Sequence, residues 1–323
     1  MKTVVLSAFL MFFIALSVFC NGNLELVNTQ KIELDNIMDV KILYSSERVS
    51  LFMGTTNTLV IKEYMSENNS QYFANISKSG NIVTIENGRW PFKFLFNNFS
   101  RRLEVYLPLA YKNTTSIKTS SGNIEVFDLI CSKVAIESSS GSISLSSITA
   151  DTMNIKSTSG RINVGTAHGE ISIVSSSGQI DINQATGIII SKASSGSIVF
   201  GTINGNVSAE TSSGSIEFGL VTGSVNAKTT SGPIRCTVGE SAGNITFNTT
   251  SGGVRLNLPY NLQFSFSSRT TSGSLTTPFS DRLSHPVTDR NLTQGIIGGN
   301  NASESIPTIN IRTSSGFIKI EWI

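Results

Sequence analysis

Asp181 and Glu217 are the two carboxylates that make the best case for catalysis in this chain. A glycosidase places such a pair at ~5–10 Å, one member giving a proton and the other attacking or stabilising. Nothing in the local sequence joins these two, so the case rests on what brings them to one face. His168 and His285 are the only histidines. Neither has a Cys or a spaced acidic partner of the kind a metal site or a nucleophilic triad needs. Both read as surface histidines, and no cofactor is implied. Nine Asn-x-Ser/Thr sequons occur, at Asn68, Asn75, Asn98, Asn113, Asn206, Asn244, Asn248, Asn291 and Asn301. They permit N-glycosylation, but a chain this rich in Ser and Thr produces many sequons by chance. The net charge is +2 with no basic run, so nucleic acid is not an expected partner.

Whatever positions such residues is a repeat. From Gly160 to Gly232 a glycine recurs every nine residues, each followed at plus two by Ile or Val. Alternate glycines, Gly160, Gly178, Gly196, Gly214 and Gly232, follow Ser-Ser or Thr-Ser. Gly122, Gly141, Gly252, Gly273 and Gly316 open further units of the same kind. Gly-x-Ile-x-apolar is the alternation of a strand with one buried face. The sequence therefore predicts an all-β, right-handed parallel β-solenoid, with about 18 residues per coil in two 9-residue half-coils. Right-handedness follows the general rule for parallel crossovers. Glycine suits the corners because it reaches positive φ and lets stacked corners approach. Phe200 is followed one half-coil later by Ala209, and Phe218 by Ala227. Large facing small is how a thin core fills.

On this frame Asp181 and Glu217 lie two coils apart, ~9.6 Å on the same face. Their row runs Asn163, Asp181, Val199, Glu217, Arg235, with no acidic pair on neighbouring coils. Calcium-binding repeats share the period but carry a corner Asp that is missing here. Flat Thr-x-Thr rows, as in ice-binding solenoids, are missing too. Outward pairs such as Ser215/Glu217 and Ser224/Asn226 are mixed. Cys131 and Cys236 fall many coils apart, beyond the ~7 Å that a disulfide bridges. They are expected to be free thiols, with Cys236 inward.

The charged share is 14%, against roughly 25% in ordinary domains, which argues against a helix-rich chain. Residues 1–20 read as a signal peptide, with Lys2 ahead of an apolar run from Val4 to Phe19. No membrane span is expected after its removal. Residues 21–116 read as an N-terminal β cap with irregular first strands, including the alternating Arg101–Tyr111 and the aromatic Trp90–Phe96. Residues 117–258 read as the regular solenoid. Residues 259–323 read as last coils, a long loop (281–305) and a C-terminal cap, closed by the Gly316 unit with Trp322 as a plug.

Three features carry a family likeness: Leu-Glu-Val-Tyr-Leu-Pro at Leu103–Pro108, the serial [Ser/Thr]-Ser-Gly-x-Ile units, and the closing Thr-Ser-Ser-Gly-Phe-Ile-Lys-Ile. Together they resemble the adhesin family of β-strand-repeat domains, whose function is not assigned. The likeness spans about residues 30–323. It implies an extracellular, non-enzymatic solenoid and supplies no catalytic residues. The expectation is a secreted or cell-surface protein that binds a surface glycan or protein. The alternatives are a carbohydrate-active β-helix of lyase or hydrolase type, and a purely structural wall or matrix component.

Overall fold

A computed structural model describes residues 24–34, 36–91, 99–289, 291–298 and 306–323. The signal-like segment, Phe92–Phe96, Asn98 and Asn301 lie outside them. Among the described residues the only helical turns are two short 3-10 segments, and almost everything else is strand. The chain winds into a parallel β-solenoid, as the repeat predicts.

Each regular coil contributes to two broad faces. Ile162–Ser175 shows the pattern: Ile162–Val164 lies on face A, and Glu170–Ser175 on face B. Its neighbours Ile180–Ala193 and Ile198–Thr211 stack in parallel register, glycine over glycine, and Ile143–Ser157 stacks likewise except for one irregularity after Thr149, where Gly169 lies on Ala150. Inward residues alternate along each face, Ile162 and Val164, then Ile171 and Ile173, all buried. Between the faces the alternation slips. Ala167 is inward, while Gly165, Thr166 and the three residues His168–Glu170 are not. Two bends therefore bound a short third side with one inward residue per coil. Ile148, Ala167, Ala185, Ile203 and Val221 form that row in register. The nine-residue spacing hides this side, because the strand runs unbroken through it.

The two kinds of glycine do different work. Gly169, Gly187 and Gly205 sit in mid-strand bends with φ of 131, 122 and 141°, a region costly for any residue with a Cβ. The Ser-Ser-Gly glycines do not have positive φ. They are needed for close stacking: a Cβ on Gly178 would lie 2.1 Å from the Gly160 carbonyl oxygen.

A buried hydroxyl closes the Ser-Ser-Gly corners, and it stands three residues before the glycine. Ser157 and Ser175 donate to the carbonyls of Gly160 and Gly178 at 2.8 and 2.9 Å. Thr211 and Thr229 reach the preceding coil's glycine carbonyl at 3.1 and 3.2 Å and accept from the N–H of Gly214 and Gly232. The Ser-Ser pairs themselves are exposed and bond through their backbones.

Coil order departs from chain order at both ends. The Gly316 unit is not the last coil. Thr308–Thr313 pairs in parallel with Ile245–Thr249 on one side and with Phe264–Thr270 on the other. Ile318–Trp322 lies likewise between Val254–Leu258 and Leu275–Thr276. The stacking order is thus Gly252, Gly316, Gly273. At the other end Asp39–Leu43 and Arg48–Met53 slot between the earlier-stacked Ile82–Glu86 and Arg101–Leu107 and the later Thr114–Thr119 and Ile124–Phe127. Antiparallel strands finish both ends. Thr58–Met65 and Glu25–Glu33 cover face A at the N-terminal end, and Asn75–Ser79 covers face B. Ser284–Asp289 and Leu292–Ile297 form a hairpin within the span read as a long loop, and it covers the far end of face B. Its outer strand carries Pro286, which cannot donate to an added strand. Trp322, in the inserted coil, is half-buried beside Phe279 of the outermost coil, ring centroids 5.5 Å apart.

Candidate binding faces of the solenoid

Every inward position is spent on packing, so chemistry is confined to the outward rows. On face A one row reads Ser144, Asn163, Asp181, Val199, Glu217, Arg235, Arg255, Lys319. Val199 separates Asp181 from Glu217, as the spacing predicts. Asp181 accepts from Gln179 Nε2 at 2.7 Å and lies 3.9 Å from Arg161. Glu217 shares no partner with it. The two carboxylates are on one face but do not form one cluster. Ser215 donates to Ser197 Oγ at 3.1 Å, a rung-to-rung link of the kind small polar residues make on a sheet.

On face B a row of short polar side chains, Asn154, Ser172, Ile190, Ser208, Asn226, Thr246, Asn310, runs beside a charged row, Lys118, Glu137, Lys156, Val174, Lys192, Glu210, Lys228. The charges alternate and pair across rungs: Lys118 with Glu137 at 3.1 Å, and Glu210 with Lys192 and Lys228 at 4.0 and 3.1 Å. At the edge of the polar row Asn206 Oδ1 accepts from Ser224 N at 3.0 Å, and Asn244 Oδ1 from Thr308 N at 2.8 Å. Ile188, Ile190 and Val174 break the polar pattern and remain exposed. A shallow depression lies over this face, lined by Ile188, Ile190, Asn206, Ser208, Asn226 and Thr246 among others.

The sequons sort by environment. Asn68, Asn75, Asn206, Asn244 and Asn291 are exposed, and Asn248 is half-buried. Asn113 is half-buried, and its Nδ2 donates to the Ile37 carbonyl at 2.9 Å. A glycan on that nitrogen would remove one of its two N–H donors. His168 is exposed in the bend after the short third side, between Thr149 and Thr186. His285 is exposed in the outer hairpin strand, with φ of 51°. Among the described residues no group of three or more His, Cys, Asp or Glu converges as a metal site. Cys131 and Cys236 are free and buried, as expected. Burial pushes the Cys131 thiol up to about 11 and the Cys236 thiol higher still, so both stay protonated and unreactive at neutral pH.

One polar cluster is not evident from the repeat. Arg101 and Glu47 form a fully buried ion pair through Arg101 Nη2, with Nε donating at 3.1 Å and Nη1 donating to the Tyr72 carbonyl at 2.6 Å. Tyr44, Trp90 and Phe99 surround the guanidinium at 5.6, 5.5 and 6.0 Å. Glu63 lies nearby, accepting from Asn28 and from the Ala74 N–H at 2.8 Å each, and burial raises its carboxyl above the usual range. The signal was present in Tyr44-Ser-Ser-Glu-Arg-Val49, a corner unit with Glu47 in the glycine's place. Gly122 stacks on Glu47, as other corner glycines stack on glycine. Arg101, Glu47 and Glu63 each have a partner, and only the buried Tyr44 hydroxyl lacks one, which marks a structural plug for the first coil.

The sequence profile of the Toastrack DUF4097 family matches residues 30–321. The chain belongs to the Toastrack family. Its solved structural neighbours are distant. A candidate cell adhesion protein from Clostridium sporogenes is 11% identical, with TM-score 0.23, over 92% of this chain and 98% of that one. A candidate adhesin from Parabacteroides distasonis is 16% identical, with TM-score 0.40, over 74% and 98%. A candidate adhesin from Bacteroides fragilis is 11% identical, with TM-score 0.30, over 92% and 96%. A comparison with curated proteins finds no match. Among the described residues of this Toastrack chain no helix is long and apolar enough to cross a membrane.

Proposed function

We propose that this Toastrack chain is a secreted or cell-surface solenoid that acts by binding, with no catalytic step of its own. The observation that carries the reading is the run of short polar side chains on face B, Asn154, Ser172, Ser208, Asn226, Thr246 and Asn310, on successive rungs interrupted only by Ile190. A row of donors and acceptors repeating every ~4.8 Å suits an extended, polyhydroxylated partner or another strand-rich surface. Asp181 and Glu217 lack the shared cleft and paired environment that set an acid and a base apart. The signal-like start of the sequence and the adhesin names of the structural neighbours agree with a surface role.

A glycan array tests this, with wild type beside Asp181→Asn and Glu217→Gln and product analysis on every bound glycan. The reading expects binding that survives both substitutions and no product. Turnover lost with either substitution would replace it with a carbohydrate-active enzyme.

A further inference from the structure

The outward charges of the solenoid are mostly balanced from rung to rung. Lys118, Glu137, Lys192, Glu210 and Lys228 on face B pair at 3.1–4.0 Å, and so do Arg161 and Asp181 on face A. The C-terminal end breaks this habit on both faces: Arg269 and Arg312 are exposed neighbours on face B, and face A carries a longer run. Arg235, Arg255 and Lys319 are direct neighbours on three successive rungs. Like charges placed opposite one another on a sheet repel. Glu321 relieves part of this, 2.7 Å from Lys319 Nζ and 3.7 Å from Arg255 Nε. Arg235 is exposed, with Glu217 beside it on the preceding rung but no ion pair within 4.0 Å among the described residues.

The row beside these cations is equally unusual. Where earlier coils carry Asn123, Ser142, Arg161, Gln179, Ser197 and Ser215, these three rungs carry Pro233, Gly253 and Phe317. A Cβ on Gly253 would lie 2.3 Å from the Phe317 ring. The ring therefore leans across the sheet into the space that glycine leaves, and it remains 49% exposed. A flat aromatic body lies next to an under-neutralised cationic strip.

We infer that this strip, Phe317 with Arg235, Arg255 and Lys319, is a binding site for an acidic polysaccharide. The inference rests on the binding reading above and adds the ligand class. Sugar rings present apolar C–H faces that an aromatic ring covers, and guanidinium groups hold carboxylate or sulfate through paired N–H donors. A cation on each of three rungs matches an extended chain that carries an acid at regular intervals.

The test is equilibrium binding of the full-length secreted protein to immobilised polygalacturonate, heparin and neutral dextran at about 150 mM salt. Wild type is expected to bind an acidic chain and not dextran. Polygalacturonate against heparin then distinguishes carboxylate from sulfate. Arg235→Ser with Arg255→Ser should weaken binding at least about tenfold, and Phe317→Ser should weaken it severalfold at unchanged net charge. Arg269→Ser with Arg312→Ser makes the same charge change on face B and should leave affinity within about twofold. Thermal unfolding checks that every variant folds. Equal losses in the two double variants would overturn the inference in favour of diffuse attraction. Dextran bound as well as the acidic chains would overturn it while leaving the binding reading intact. Binding to none of the three would overturn this inference and count against that reading too.

Discussion

At the scale of single residues, the corner hydroxyl explains more of the sequence than the Ser-Ser pair that draws attention to it. The period shows where a corner falls, but not which of its side chains turns inward. Only the structure shows that the residue three before the glycine does so. That reading exposes one faulty coil. Ala193 stands where Ser175 and Thr211 carry the hydroxyl, and Ser191, two residues earlier, is fully buried with no partner for its Oγ. Its neighbours on adjacent rungs are Ile173 and Ala209. A buried hydroxyl without a partner costs about 1–3 kcal/mol. Ser191→Ala should therefore raise stability by about 1 kcal/mol in urea unfolding, and Ala193→Thr should add a similar amount by restoring the corner bond. Loss of stability in Ser191→Ala would contradict this account of the coil. The polar plug of Arg101, Glu47 and Glu63 was legible only as a degenerate unit. Its parts, Tyr44 with Glu47, Glu63, Trp90, and Phe99 with Arg101, come from separate stretches of chain that no local pattern joins.

At the scale of elements, the regular coils were legible and the ends were not. Strand alternation and a strict spacing decide the rungs from Ile162 to Thr229, and the structure stacks them in the expected order. The short third side was hidden because its bends lie inside continuous strands. At the ends the chain skips a rung and returns to fill it, and no period records a skip. The C-terminal coil consequently holds its outer neighbour in place. Phe264–Thr270 has no parallel contact with the body except through Thr308–Thr313. Phe264, Phe266 and Phe279 pack with one another, and Phe264 and Phe279 also contact Trp322. Removing residues 306–323 should therefore strip two coils rather than one. Limited proteolysis of the truncated chain should leave a resistant core ending near Leu258. A core that still reaches Ile297 would mean that the outer coil docks without the insert.

At the scale of the whole molecule, the solenoid is a rod whose interior is fully committed and whose function lies in rows that exist only by virtue of coil order. The candidate carboxylates were placed correctly from the sequence, because Asp181 and Glu217 lie within the regular region. The cationic strip was not, although Arg235 was named, because Lys319 and Phe317 reach Arg255 and Gly253 only through the inserted coil. The acidic-polysaccharide site and the stability of the C-terminal end depend on that insertion, as does the place of Asn310 in the polar row. Paired cysteines test it directly, since Cys131 and Cys236 are buried and do not interfere. Thr246 and Asn310 are neighbours on adjacent rungs, and Ser267 lies beyond Asn310. The structure predicts that Thr246→Cys with Asn310→Cys forms a disulfide within one chain on mild oxidation. It also predicts that Thr246→Cys with Ser267→Cys, two rungs or ~9.6 Å apart, does not. If the second pair closes and the first does not, the coils stack in chain order and the account is wrong.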